Sequence, residues 1–104
     1  MKIEDLAETY VLSFYLEQHH SYFLTKLIGY DGTRFELLAT NSDGSPIGFE
    51  VGELRFAGNF TTRENVPSLG ELEGAATTED GAILEGDFGD IRIRANNITI
   101  KKES

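Results

Sequence analysis

Carboxylates are the side chains whose density and spacing could do chemistry in this chain. From residue 64 to residue 90 the sequence holds Glu64, Glu71, Glu73, Glu79, Asp80, Glu85, Asp87 and Asp90 without one lysine or arginine. The formal net charge of −9 is therefore concentrated there, and residues 91–104, with Arg92, Arg94, Lys101 and Lys102 against Glu103, are net basic. Side chains two apart on a strand share a face, so Glu71 lies with Glu73 and Glu85 with Asp87, while Leu84 and Phe88 take the other side. If the two strands pair through an Asp80-Gly81 turn, four carboxylates converge on one small surface. Such a surface is either a solvated face that keeps an acidic protein soluble or a docking face for a basic partner. The partner-binding candidates are Glu71, Glu73, Glu79, Asp80, Glu85, Asp87 and Asp90. The spacing matches no known divalent-cation loop, so no metal is expected. Same-face carboxylates do not by themselves form an acid–base pair, and no enzyme activity is expected. Arg92 and Arg94 read as cross-strand ion-pair partners of Glu85 or Asp87.

Other motifs carry less. His19-His20 between Gln18 and Ser21 reads as an exposed connection, since neighbours on a strand point to opposite sides and no cysteine or third histidine completes a metal site. Asn41-Ser42-Asp43-Gly44 lacks the later ligands of a calcium loop and reads as a turn. Asp87-Phe88-Gly89 coincides with a kinase tripeptide in a chain too short for a kinase. Asn59-Phe60-Thr61 and Asn97-Ile98-Thr99 match glycosylation sequons, which act only on secreted chains. Phe49, Phe56, Phe60 and Phe88 read as core, and Tyr10, Tyr15, Tyr22 and Tyr30 as core or interface residues.

These residues must be positioned by strands. Asp31-Gly32, Ser42–Pro46, Asp80-Gly81 and Phe88-Gly89-Asp90 punctuate the chain into strand-length runs of aromatic and β-branched residues. Near the N-terminus Ile3, Leu6, Ala7 and Tyr10 form a helical stripe that Val11 and Phe14 could extend toward Glu17. Thr9–Tyr15 nevertheless has the composition of a strand, which favours a short helix over residues 3–9 running into a strand. A two-residue turn at Asp31-Gly32 pairs Ile28 with Phe35, Leu24 with Ala39 and Tyr22 with Asn41, leaving Phe23, Leu27 and Leu38 on the other face. Apolar positions slip phase across Gly52 and again across Asn96-Asn97, and each slip predicts a bulge or bend. The expected fold is mainly β: one curved antiparallel meander sheet, a half-barrel of seven or eight strands, with at most one short N-terminal helix that covers its back. No convincing internal repeat is present.

Size and composition set the outer bounds. A chain of 104 residues with 39% apolar residues makes a single domain, residues 1–104, with one modest core. The absence of cysteine excludes disulfide scaffolds, thiolate zinc sites and cysteine nucleophiles. The acidic balance argues against direct nucleic-acid binding, which needs a basic footprint. No positively charged leader and no apolar run near 20 residues is present, so a cytoplasmic protein without membrane contact is expected, with no cofactor.

As a whole the chain resembles bacterial immunity proteins of toxin–immunity systems, in particular those of contact-dependent growth inhibition. The resemblance lies in its size, acidity, lack of cysteine and meandering β pattern, and in the style of the runs Leu54–Phe60 and Ile83–Ile93. It implies a half-barrel that covers the active cleft of a cognate toxin domain, a basic nuclease such as a ribonuclease, as a monomer in a 1:1 complex. It carries no binding residue over. The alternative is a small-ligand carrier that uses the interior of the half-barrel.

Overall fold

The computed structural model describes residues 1–54, 60–61 and 67–103, with the side chains of 60 and 61 left aside. Among the described residues ten strands follow one 3-10 turn at Ile3–Leu6: β1 (Thr9–Leu16), β2 (Tyr22–Ile28), β3 (Arg34–Thr40), β4 (Gly48–Leu54), β5 (Phe60–Thr61), β6 (Pro67–Ser68), β7 (Gly70–Thr78), β8 (Gly81–Gly86), β9 (Gly89–Arg94) and β10 (Asn97–Lys102). Eight of them form one antiparallel sheet in the order β10-β3-β2-β1-β7-β8-β9-β4, and β5 pairs with β6 separately. The expected mainly β, single-sheet half-barrel is what the chain forms. The helical stripe at the N-terminus yields only the 3-10 turn, because the β-formers from Thr9 onward enter the sheet.

The sheet is strongly curled. Phe23 on β2 and Phe49 on β4 lie five strands apart, about 24 Å if the sheet were flat. Their ring centroids are nevertheless 5.1 Å apart. Phe14 packs edge-on against Phe88 at 5.0 Å and stacks on Phe23 at 6.0 Å, so aromatic rings occupy the concave side. Around them Val11, Leu27, Leu37, Ala39, Leu72, Leu84, Ile91 and Ile93 are buried in the same cluster. Ile3 and Leu6 join that cluster, so the N-terminal turn covers the concave side and not the back as expected. The backbone N–H of Thr77 donates to Glu4 Oε1 at 3.3 Å, which ties the turn to β7.

The topology has two-fold character. β1-β2-β3 and β7-β8-β9 are each a meander, and they meet where β1 pairs with β7. The strand after each meander crosses to the other half: β4 pairs with β9 and β10 with β3. Both crossings are pinned by equivalent backbone bonds, Ile47 N–H to the His20 carbonyl (2.8 Å) and Ala95 N–H to the Asp80 carbonyl (3.0 Å).

The register of the β2–β3 hairpin differs by one residue from the expectation. Phe23 faces Ala39, Thr25 faces Leu37 and Leu27 faces Phe35. The connection is longer than two residues: Gly29 N–H donates to the Thr33 carbonyl, Gly32 N–H to the Gly29 carbonyl, and Gly32 has φ +86°. A type I turn followed by a left-handed glycine sets this register, and one step of register exchanges the faces. Phe23 and Leu27 therefore enter the core, while Leu24 and Leu38 sit on the convex side. The phase slip at Gly52 is a β-bulge between Val51 and Glu53, and that at Asn96 is the bend between β9 and β10. Phe88 is fully buried and Phe49 packs on the core, as expected. Phe56 lies outside the described residues, as does the side chain of Phe60.

Candidate functional site

The seven candidate carboxylates separate into two groups at opposite ends of β8. The hairpin joining β7 and β8 turns at Glu79-Asp80, with Thr78 opposite Gly81, one residue earlier than the Asp-Gly pair suggests. Asp80 therefore lies beside the C-terminal end of β9 and is held there. Its carboxylate accepts from Thr78 Oγ1 at 3.1 Å and faces Arg94 Nε at 3.2 Å and an Arg92 Nη at 3.7 Å. The Thr78 hydroxyl, with smaller help from Arg92 and Arg94, lowers its pKa. Arg94 also contacts Glu50 on β4. Both arginines are thus engaged by Asp80 and Glu50, not by Glu85 or Asp87 as the sequence suggests, because the strand register places them at the turn end of β8. Glu79 is exposed at the same end, beside an open cavity of about 810 Å³ lined by Ile3, Thr77, Asp80, Arg94 and Ile98 among others.

The other five converge at the far end of the hairpin. Glu85 on β8 pairs with Asp90 on β9, and Asp90 with Glu53 on β4, so three acids stand side by side on the convex face. Glu73 occupies a bulge opposite the step from Glu85 to Gly86, between the pairs Leu72–Gly86 and Gly74–Glu85. Asp87 sits in the tight connection between β8 and β9. There its Oδ2 accepts the Glu71 N–H at 3.0 Å, and its own N–H donates to the Glu71 carbonyl at 3.1 Å. Gly70, at φ +131°, permits this approach, since a Cβ there would lie 2.8 Å from Asp87 Cβ. The charge of Asp87, a shared hydrogen bond with it and the charge of Glu71 all push the Glu73 pKa up.

A tyrosine pair borders the acids. The Tyr10 and Tyr30 rings lie 5.4 Å apart, and the Tyr30 hydroxyl donates to Glu71 Oε2. That bond, with burial and the nearby carboxylate charge, pushes the Tyr30 pKa up to about 12. Among the described residues neither Glu85 nor Asp90 forms an ion pair, and both are exposed.

Several motifs fall where the sequence puts them. His19 and His20 are exposed in the β1–β2 connection, where Glu17 Oε1 accepts from His19 N–H, Ser21 N–H and Ser21 Oγ. Asn41–Gly44 is a turn in the β3–β4 connection. Glu64 lies outside the described residues. Sequence reasoning missed Glu53. The phase slip at Gly52 marked its strand as bulged, but only the strand order places that strand beside β9. Among the described residues no cluster of three or more His, Cys, Asp or Glu could hold a metal ion, and no helix is long and apolar enough to cross a membrane. Comparison with protein-family models, curated proteins and solved structures gives no match.

Proposed function

We propose that this protein is an immunity factor: it binds a basic toxin domain, of nuclease type, and neutralises it by covering the active site with the convex acidic face. The observation that carries the reading is the gathering of Glu71, Glu73 and Asp87 with Glu85 and Asp90 at one end of the β7–β9 meander. The two nearest arginines are spent on Asp80 and Glu50 instead. A nuclease site is basic because it holds phosphates, so a rigid array of carboxylates can occupy it as a polyanion would. Strands hold such an array more precisely than loops do. The tyrosines at its border supply apolar area with polar tips, as interface anchors do. Phe14, Phe23, Phe49 and Phe88 pack together on the concave side, and the cavity of about 810 Å³ that a ligand carrier would use is an open one lined by Ile3, Ala95 and Ile98 among others.

The test mixes the purified protein at equimolar ratio with the toxin domain encoded beside its gene and measures nuclease activity. The reading predicts loss of activity. Undiminished activity refutes it. A Glu73→Lys/Glu85→Lys variant should associate about tenfold more slowly or worse, whereas Glu79→Lys/Glu103→Lys, with the same net charge, should associate nearly as the parent does.

A further inference from the structure

We infer that two copies of this chain meet through the convex face of β1, β2, β3 and β10. They pack sheet on sheet about a two-fold axis that lies between them and runs along the strands, midway between Leu24 and Leu38. The inference is independent of the immunity reading. Cross-strand rows make up the face. The middle row, from β1 to β10, is Tyr15, Leu24, Leu38 and Thr99. On one side of it runs the row Lys26, Glu36 and Lys101, and on the other Glu17, Tyr22 and Thr40. Tyr15 is 52% exposed and Leu38 36%. The Tyr15 and Tyr22 rings lie 5.7 Å apart, and a shallow groove of about 560 Å³ runs over Tyr22, Leu24 and Leu38. An apolar strip rimmed by polar residues marks a contact surface.

Charge selects the occupant. The chain carries −9, so two copies repel wherever an average stretch of surface meets another. This face sets Lys26 and Lys101 against Glu17 and Glu36 and is neutral, so it neither repels a second copy nor draws a strongly basic protein. The order of the charges then fixes the fit. Lys26 and Glu36 are cross-strand neighbours, 3.9 Å apart. A two-fold axis between their strands sets Lys26 of each copy over Glu36 of the other, Leu24 over Leu38 and Tyr22 over Thr40. Alternation of sign is what is matched: the pair within each chain persists, and each charge gains a second opposite neighbour. Such a contact is isologous, as in the commonest soluble dimers. Its rows supply about half of the roughly 20–30 residues a side of a standard interface, so the dimer should dissociate in the micromolar range or more weakly. β7, β8 and β9 follow β1 away from this face, so each copy keeps its acidic end free for one partner.

The test is sedimentation velocity of the full chain alone, from about 1 μM to about 1 mM. The parent should pass from monomer to dimer over that range, and Leu38→Asp should weaken the dimer about tenfold or more. Lys26→Glu and Glu36→Lys should each weaken it as well, the first by setting acid on acid across the axis and the second base on base. Mixed in equal amounts, these two variants should associate about as tightly as the parent, because each supplies the charge that the other now needs. Repair within one chain cannot produce that result. A parent that stays monomeric up to about 1 mM overturns the inference and leaves the face to a different partner. A dimer that Leu38→Asp does not weaken, or a mixture no more associated than its components, overturns it too. Should the variants not fold, tyrosine labelling of the parent decides: Tyr15 should be protected in the dimer, and equal labelling at both ends of the range contradicts the inference. No toxin enters any arm, so failure here leaves the immunity reading standing.

Discussion

Glu73 is held where its charge is unwelcome. Asp87 first, and Glu71 after it, push its pKa above the ordinary value of 4.5. A carboxyl whose folded pKa is raised costs stability above that folded value, and the cost disappears once the pH falls below the unfolded value. Glu73→Gln should therefore raise the melting temperature at pH 7, and the gain should vanish below about pH 4.5, where Glu73 is protonated in both states. Thermal unfolding followed across pH checks this; an unchanged or lowered melting temperature at pH 7 contradicts it. A like-charge cluster that costs stability is the expected signature of a surface kept for binding. Tyr30 works in the opposite sense. Its raised pKa, about 12, reflects the hydrogen bond it donates to Glu71, so its contribution is complete below the ordinary value of 10 and is lost as the pH rises through 12. Tyr22 is also raised, by burial first. In a spectrophotometric tyrosine titration Tyr30→Phe should remove the component that ionises last. At this scale the sequence showed which residues are acidic and which alternate together. It did not show that Arg92 and Arg94 turn to Asp80, since that depends on the turn falling at Glu79-Asp80.

The elements that position the face depend on bulges. Leu12 is the extra residue in β1, where the register with β2 steps from Val11 to Ser13. The distortion leaves the Ser13 carbonyl to the hydroxyl of Thr25, which donates to it at 2.9 Å from a fully buried position. Thr25→Val keeps the shape and removes the donor, and should destabilise the fold by about 1–2 kcal/mol in denaturant unfolding. No loss would mean that the bulge needs no such support. The bulges at Glu73 and Gly52 act on the site itself: one brings Glu73 beside Asp87, the other brings Glu53 opposite Asp90. Gly52 was legible as a break in period-two alternation, because apolar residues stand on both sides of it. Glu73 was not, since Glu71, Glu73 and Gly74 carry no apolar signal that could change phase. The β2–β3 register was misread for a related reason. Asp31-Gly32 reads as a two-residue turn, but Gly32 serves as the left-handed residue that closes a longer one.

Across the whole molecule, two meanders exchange their fourth strands and roll into one curled sheet. Aromatic rings meet on its concave side, and the convex side is left to carry charge. The sheet class was legible from turns and strand-length runs. The exchange was not, because β3-to-β4 and β9-to-β10 look like ordinary connections until Gly48 is seen opposite Arg94 and Asn97 opposite Thr40. With Glu71, Glu73, Glu85, Asp87 and Asp90 gathered at one end of the β7–β9 meander in a chain of net charge −9, encounter with a basic partner should be steered over distances comparable to the Debye length. The most direct test is the association rate with the adjacently encoded toxin domain, measured from low to physiological ionic strength. The account predicts a steep fall in rate as salt rises, and a slower, flatter dependence for Glu73→Lys/Glu85→Lys. A rate indifferent to salt, with the variant equal to the parent, would contradict it.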